Sequence, residues 1–461
     1  MWTSLLRRCK NKEEMKMEAK DMLVMALDLP GKTSEDIEKI MTLLTSLKGK
    51  VGIIKVNSLA SAVPGIIQGI KSLGFKVWRD WKHYDIPGTV GNFIDADIDA
   101  GVDMVTVHTL GGFKMLELAV ARKKVKESSL NILGITILTS YDEETFNKEV
   151  GISGEIQETV RRLALLAENA GLDGVVASPK EARMLRGILK PETLIITPGI
   201  TPIFAIKNPD QAREATPFQA IIDGANYIVV GSAIYKAENP VEAVDRIVVE
   251  IEEGLREKTR QKLALDLFNV GAIKFGAFKL KLHETNPDAP LSPIYIDLRL
   301  IRSFPGLLAD VVDSIIGKVM NDGVKFDLLS DIPTALTPFV TLMSQKLDIP
   351  MISPKISKTH GLEGKIDGLF LPNQSVLLVD DLITKADSKI EAANVLEKND
   401  LVVRDIAVLI DRQQGGKEAL IQSGYRLHSV FNIMEMLHIY LDIGKITQER
   451  YNETVEYLRN N

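Results

Sequence analysis

The chain is short of cysteine, of long apolar runs and of excess positive charge, and each shortage removes a class of protein. Of its 461 residues only Cys9 carries a thiol, so no internal disulfide can form. That excludes a disulfide-stapled scaffold and leads to the expectation of a reducing, cytoplasmic setting. No run of eighteen or more apolar residues occurs, so no membrane span and no membrane partner is expected. Lys and Arg total 56 against 62 Asp and Glu, a formal net charge of -6. A general nucleic-acid binder carries a basic excess, so no nucleic-acid partner is expected. The six histidines are scattered and nothing has metal-ligand spacing, so no metal held by protein ligands alone is expected. The opening residues place Arg7, Arg8, Lys10 and Lys12 just before Glu13 and Glu14, without the apolar stretch of a signal peptide. Residues 1–20 are read as an N-terminal extension.

What is present is ordinary globular composition, 45% hydrophobic and 26% charged. The length exceeds what one hydrophobic core normally organises, so at least two domains are expected.

The most informative stretch is Asp80-Trp81-Lys82-His83-Tyr84-Asp85-Ile86-Pro87-Gly88-Thr89, which follows the apolar run Phe75 to Trp78. In a strand Asp80 and Lys82 point the same way, because side chains alternate. The chain turns at Pro87-Gly88, which places Asp85 just past the strand end. A lone D-x-K is usually a solvated ion pair. Two acids gathered around a lysine, at the end of a buried strand, point instead to proton chemistry.

Short apolar runs recur through the first half: Leu23–Leu27, Val51–Val56, Phe75–Trp78, Met104–Val107, Ile132–Leu138, Gly174–Ala177, Leu194–Ile196 and Tyr227–Val230. Helical patterns such as Glu35–Leu47, Glu155–Ala170 and Pro240–Gly254 lie between them. Eight strand–helix units over about 235 residues predict a (β/α)8 TIM barrel, with a doubly wound open sheet as the alternative. Active sites of such barrels lie at the C-terminal ends of the strands. The polar residues closing the strands here are Asp28, Lys55, Asp80 with Lys82, His108, and Thr139 with Ser140. Phosphate sites favour the loops after strands seven and eight. Those loops, Thr197–Pro202 and Gly231–Tyr235, each hold a glycine that lets backbone N–H groups approach an anion.

The motif D-x-K-x-x-D-I-P-x-T closely resembles the active site of the orotidine 5'-phosphate decarboxylases, and the resemblance covers residues 21–255. It implies catalytic roles for Lys55, Asp80, Lys82 and Asp85, with Asp85 supplied across a homodimer or higher homo-oligomer. It implies substrate contacts from Asp28, Lys55, Thr89, Thr139, Gln211, Gly231 and Ser232, and no cofactor. Where that family usually has arginine in its two phosphate loops, this chain has Thr201 and Ser232.

The charged stretch Glu252–Lys262 reads as a linking helix. Beyond it apolar runs resume at Ile294–Leu298, Phe326–Leu329, Val376–Val379 and Ile406–Ile410, with helices such as Gly306–Met320 and Ser388–Leu396, which predicts a separate α/β domain over 256–461. In Val376-Leu377-Leu378-Val379-Asp380-Asp381-Leu382-Ile383-Thr384-Lys385-Ala386-Asp387-Ser388 a buried strand ends in two acids ahead of a helix. A helix start favours phosphate, and the acids can hold ribose hydroxyls or a magnesium-bound sugar phosphate. The bland alternative is an acidic strand end with Ser388 as helix N-cap.

This stretch resembles the phosphoribosyl-pyrophosphate loop of type I phosphoribosyltransferases. Ala272–Lys281, Ser292–Arg299, the basic loop Pro354–Gly361 and Asp411-Arg412-Gln413-Gln414-Gly415-Gly416 narrow the likeness to orotate phosphoribosyltransferases. The resemblance implies that Lys281, Tyr295, Ile296, Lys355, Lys358, His360, Asp380, Asp381, Thr384, Ser388 and Arg412 bind orotate and phosphoribosyl pyrophosphate, with Mg2+ near Asp380 and Asp381. Pro354 stands where that family has arginine, Ala386-Asp387 where it has glycine, and Thr334 where it has an aromatic residue. Together the halves resemble fused uridine monophosphate synthases, which turn orotate into orotidine 5'-phosphate and then into UMP. Two rivals are a decarboxylase of another sugar phosphate and a chain with only one active domain, the other serving binding or assembly.

Overall fold

The computed structural model describes residues 17–29, 33–206, 215–279, 286–332, 336–355 and 366–460. The chain divides into two compact units, one ending at Lys258 and the other beginning at Thr259. The division falls inside one helix, Pro240–Asn269. Its Ala243, Val244, Ile247 and Ile251 are buried in the first unit, and its Leu263, Ala264 and Leu267 in the core of the second.

The first unit is a closed barrel of eight parallel strands in sequential order. They are β1 (Leu23–Ala26), β2 (Ile53–Val56), β3 (Lys76–His83), β4 (Met104–His108), β5 (Asn131–Ile135), β6 (Gly174–Val176), β7 (Leu194–Thr197) and β8 (Tyr227–Val230). Strand alternation splits the apolar residues into two layers. Val24, Ala26, Ile53, Trp78, Met104, Leu133, Val176, Ile196 and Val229 fill the barrel. Leu23, Met25, Ile54, Val77, Val105, Val175, Ile195 and Val230 face the helices. A Cβ at Gly134 would come within 2.7 Å of Thr109 Cγ2 and 3.1 Å of Ala167 Cβ, so β5 needs glycine there for helix packing.

β3 reaches beyond its apolar run, as the placement of Asp80 and Lys82 in one strand implies, and it is irregular there. The apolar run ends at Trp78, yet the strand continues to His83. Its register with β4 steps from Arg79↔Val105 to His83↔Val107, so the Asp80–Lys82 segment bulges opposite Thr106. Lys82 takes a left-handed backbone, φ +52°. Bulges re-aim side chains beside active sites.

The second unit has a mixed six-stranded sheet and a separate hairpin. The hairpin is β9 (Ile273–Phe278) against β10 (Ser292–Ile296). The sheet consists of β11 (Leu328–Asp331), β12 (Met351–Pro354), β13 (Ile366–Asp367), β14 (Ser375–Ile383), β15 (Val402–Asp411) and β16 (Arg426–Asn432), in the order β13-β12-β11-β14-β15-β16. β13 is antiparallel to its neighbour β12. Leu377, Val379, Ala407 and Leu409 face one core and Val376, Leu378, Ile406 and Val408 the other. Burial on both faces explains the continuous apolar runs of β14 and β15. The run at Ile294–Leu298 belongs instead to the hairpin, because Ser292 to Ile296 pair with Phe278 to Ile273.

Candidate active site

Four barrel strands deliver one charge network to the C-terminal rim. Lys55 Nζ lies 3.1 Å from Asp80 Oδ2 and 3.5 Å from Asp28 Oδ1. Lys82 Nζ lies 2.9 Å from the same Asp80 oxygen. The other oxygen of Asp80 accepts the Thr106 hydroxyl at 2.9 Å, and that hydroxyl in turn accepts the Lys82 amide at 2.9 Å. Asp28 Oδ1 also accepts Asn57 Nδ2 at 2.8 Å. Lys55 and Asp80 have side-chain exposures of 10% and 9%, whereas Lys82 has 39%.

The electrostatics follow from that geometry. Burial pushes the Asp80 carboxyl up. Lys55, Lys82 and the hydrogen bonds from Lys82 and Thr106 pull it down harder, so it stays below the usual carboxylate range. The Lys82 ammonium lies between that buried carboxylate and open solvent. His108 at the end of β4 is lowered by burial and then by the Lys82 charge, which favours its neutral form.

Asp28, Lys55, Asp80 and Lys82 are thus brought together as the sequence implied. Asp85 lies two residues past β3, exposed, and its Oδ1 accepts the Ile86 amide at 2.6 Å instead of meeting Lys82 of its own chain. Thr89 sits in the first turn of the helix Pro87–Asp99, half-buried. Thr139 and Ser140 are exposed in the loop after β5. Ser232 opens the short helix Ser232–Tyr235 directly after Gly231. The Thr201 amide donates to the Ala215 carbonyl at 3.1 Å. Gln211 lies outside the described residues. Thr106 and Asn57 were not anticipated; the one signal for Thr106 was its place two residues before the strand-closing His108.

In the second unit, β14 runs through both acids and on to Ile383 instead of ending at them. Asp380 is buried and ion-paired with buried Lys389. Asp381 is pushed up to about 6 by burial and by the neighbouring Asp380. Its amide donates to Asp380 Oδ1 at 2.9 Å, and the Leu382 amide to Asp381 Oδ1 at 2.7 Å. The helix after the loop is Asp387–Glu397 with Ala386 at its N-cap, so Ser388 lies in the first turn and does not cap it. A Cβ at Gly416 would meet Ile383 Cγ1 at 2.6 Å and the Thr384 carbonyl at 2.8 Å, so the D-R-x-x-G-G loop needs glycine where it presses on the acidic loop. The Arg412 amide donates to the Ile383 carbonyl at 2.9 Å. Its Nε is buried without a hydrogen-bond partner among the described residues, and burial lowers its pKa.

Tyr295 and Ile296 are half-buried at the end of β10, with the Tyr295 ring 5.5 Å from that of Phe278. The Arg299 side chain donates two hydrogen bonds to Asp297, at 2.7 and 2.9 Å, which raise its pKa; the charges of Tyr295 and Asp381 add to the rise. Lys355 is exposed and pairs with Asp367 at 2.8 Å. Lys281, Thr334, Lys358 and His360 lie outside the described residues. Among the described residues no group of three or more His, Cys, Asp or Glu could hold a metal, and no helix is long and apolar enough to cross a membrane.

Residues 21–247 match the model of the orotidine 5'-phosphate decarboxylase / HUMPS family. The orotidine 5'-phosphate decarboxylase of Moorella thermoacetica is 41% identical over 247 residues, which span 52% of this chain and 96% of that protein. The enzyme of Pelobacter propionicus is 39% identical over 241 residues, 51% of this chain and 98% of its own length. Among solved structures, the UMP synthase of Leishmania donovani covers 96% of this chain and 97% of that chain at 20% identity and a TM-score of 0.47, a likeness too loose to carry an argument.

Proposed function

The chain belongs, through residues 21–247, to the orotidine 5'-phosphate decarboxylase / HUMPS family, and from that membership we propose that the barrel decarboxylates orotidine 5'-phosphate to UMP. The observation that carries this reading is the Lys55–Asp80–Lys82 network at the barrel rim. Breaking the bond between C6 and the carboxylate leaves an electron pair in the plane of the pyrimidine ring, where no cofactor is needed to receive it. The Lys82 ammonium stabilises that carbanion and then protonates C6. Asp80, kept ionised by two lysines, stands beside the leaving carboxylate and favours its departure as CO2. The charges are in place before the reaction, so no solvent reorganisation is needed at the critical moment. Asp85 of the partner subunit completes the network in a homo-oligomer; in its own chain it is exposed and does not meet Lys82.

The second unit is read as an orotate phosphoribosyltransferase that supplies the barrel's substrate. Its support is the conjunction of the Asp380-Asp381 strand end, the tight Gly416 contact and the buried Arg412. Arg412 would take the orotate carboxylate. N1 of orotate, giving up its proton to solvent, would bond to C1 of the ribose as the bond from C1 to pyrophosphate breaks. Asp380 is neutralised by Lys389, which leaves Asp381 to meet the ribose hydroxyls or the magnesium that travels with the phosphates. Mg2+, when bound, shields phosphate charge.

The deciding experiment supplies the purified chain with orotate, phosphoribosyl pyrophosphate and Mg2+, and separately with orotidine 5'-phosphate. UMP from both is expected. UMP from orotidine 5'-phosphate alone would leave the barrel as the only enzyme, and UMP from neither would overturn both readings.

A further inference from the structure

The outward face of β3 carries a buried ionic cluster that the reaction does not use. Asp97, in the helix Pro87–Asp99, is fully buried. Its Oδ1 accepts Arg79 Nη1 at 2.5 Å, and its Oδ2 lies 2.9 Å from His83 Nε2. Arg79 and His83 have side-chain exposures of 13% and 5%. They are also the two residues that bound the break in register between β3 and β4. One carboxylate therefore holds both ends of the bulge that presents Asp80 and Lys82. Aromatic contacts reinforce the grip. The Arg79 guanidinium lies 3.5 Å over the Trp81 ring, and the His83 ring stacks on Phe93 at 4.7 Å and 16°. Trp81 Nε1 reaches across to the Asn57 carbonyl at 3.1 Å.

A buried carboxylate with two cationic or donor partners is costly to assemble for packing alone. The cluster also sits directly behind a lysine in a left-handed conformation, which only the surroundings can enforce. On the decarboxylase reading of this site, we infer that Asp97, Arg79 and His83 are positioning residues for decarboxylation: they clamp the β3 bulge from outside the barrel and hold the Lys82 ammonium at the reacting carbon. Nothing in the clamp touches the substrate. Loosening it should misplace the proton donor without weakening substrate binding.

The test uses the full chain with Asp97→Asn, and with His83→Phe, which keeps the stack on Phe93 but removes the donor. Folded barrel is quantified by tryptophan fluorescence and kcat is expressed per folded site. Displacement of a reacting group by about 1 Å can cost about 10²-fold. On that scale kcat should fall about tenfold or more in His83→Phe and about 10²-fold in Asp97→Asn, with KM within about twofold. His83→Gln, which keeps a donor, should recover most of the loss. Amide hydrogen exchange gives a readout independent of catalysis. The Lys82 amide, bonded to Thr106 Oγ1 at 2.9 Å, should exchange faster in both clamp variants, while the amides pairing β4 with β5 stay protected. Should Asp97→Asn not fold, His83→Phe alone decides. A kcat per folded site within about twofold of the parent, or an unchanged Lys82 amide, would overturn the clamp. A parent chain unable to decarboxylate orotidine 5'-phosphate would sink the functional reading instead, and amide exchange would still decide the clamp.

Discussion

Lys82 is the only residue of the charge network with a positive φ, at +52°, and that allows its structural and chemical roles to be separated. Replacing it by alanine or by glycine removes the same ammonium from the same buried Asp80. Both variants leave Asp80 with Lys55 at 3.1 Å and Thr106 at 2.9 Å, so the electrostatic loss cancels in the comparison. What differs is the backbone. A left-handed conformation costs a residue with a Cβ about 1–2 kcal/mol, whereas glycine forfeits about 0.5–1 kcal/mol through its freer unfolded chain. Glycine should therefore be the more stable replacement by about 0.5–1 kcal/mol, the reverse of the usual order in regular structure.

The chain offers a convenient reporter of this difference. Its three tryptophans are Trp2, Trp78 and Trp81, and none lies beyond Lys258, so fluorescence in urea follows the first unit alone. With a urea dependence near 3 kcal/mol per molar, the glycine midpoint should lie about 0.2–0.3 M above that of alanine. Decarboxylation should be lost in both, by far more than the roughly 10²–10⁴-fold of ordinary acid–base catalysis. An alanine variant as stable as the glycine one would refute the claim that the bulge is held against backbone strain. Activity within tenfold of the parent in either variant would refute the role of Lys82.

Three further outcomes are expected. Lys82→Ala and Asp85→Ala chains, each inactive, should regain partial decarboxylation when mixed and allowed to exchange subunits; mixtures as inactive as the single variants would mean that the site is not shared. Asp381 is pushed up to about 6, so it is neutral below that pH and charged above it. The KM of the transferase for magnesium phosphoribosyl pyrophosphate should therefore rise as pH falls through about 6, and Asp381→Asn should flatten that rise; a KM constant from pH 7 to 5 would contradict the assignment. Ser232→Arg should tighten orotidine 5'-phosphate by roughly tenfold to a hundredfold, the worth of about 1.5–3 kcal/mol for a charged hydrogen bond. Equal effects on phosphate and phosphate-free nucleoside would place residue 232 away from the phosphate.

The barrel was legible because its strands are short apolar runs at even spacing, and a parallel strand buried on both faces has no other way to look. β3 runs past its apolar stretch although four of the five residues Arg79 to His83 are polar or charged, and polarity normally ends a buried strand. They stay in the strand because each has a specific partner: Asp80 and Lys82 inside, and Asp97 for Arg79 and His83 outside. Asp97 itself was invisible. In Asp95-Ala96-Asp97-Ile98-Asp99 the acids resemble a solvated helix face, and only tertiary packing shows that the middle one is buried. The second domain was harder. Met351–Pro354 and Arg426–Asn432 lack a continuous apolar run, since the first has only four residues and the second carries Arg426 and His428. His428 is tolerated there because its two ring nitrogens meet Asp322 at 2.6 Å and Asp405 at 2.8 Å, contacts across 106 and 23 residues that local pattern cannot display. Lys389 was missed for a similar reason. A lysine in the first turn of a helix usually points to solvent, and this one is buried against Asp380.

The two halves of the barrel's task rest on different kinds of residue. The proposed proton-transfer centre is made of side chains on strands β2, β3 and β4, whose positions the hydrogen-bond ladder fixes. The expected phosphate grip lies in loops, at Thr201 and Ser232, which lack the planar fork of arginine. Behind the first of those loops the buried Glu250 accepts the Ile203 amide at 3.1 Å, and burial pushes its carboxyl up. A phosphate bound in those loops would meet the neutral hydroxyls of Thr201 and Ser232 in place of the fixed positive charge of arginine. Such a grip depends less on salt than an arginine clamp does. Raising ionic strength should consequently weaken orotidine 5'-phosphate binding less in this chain than in its Ser232→Arg variant, and an equal salt dependence would show that a cation already serves the site.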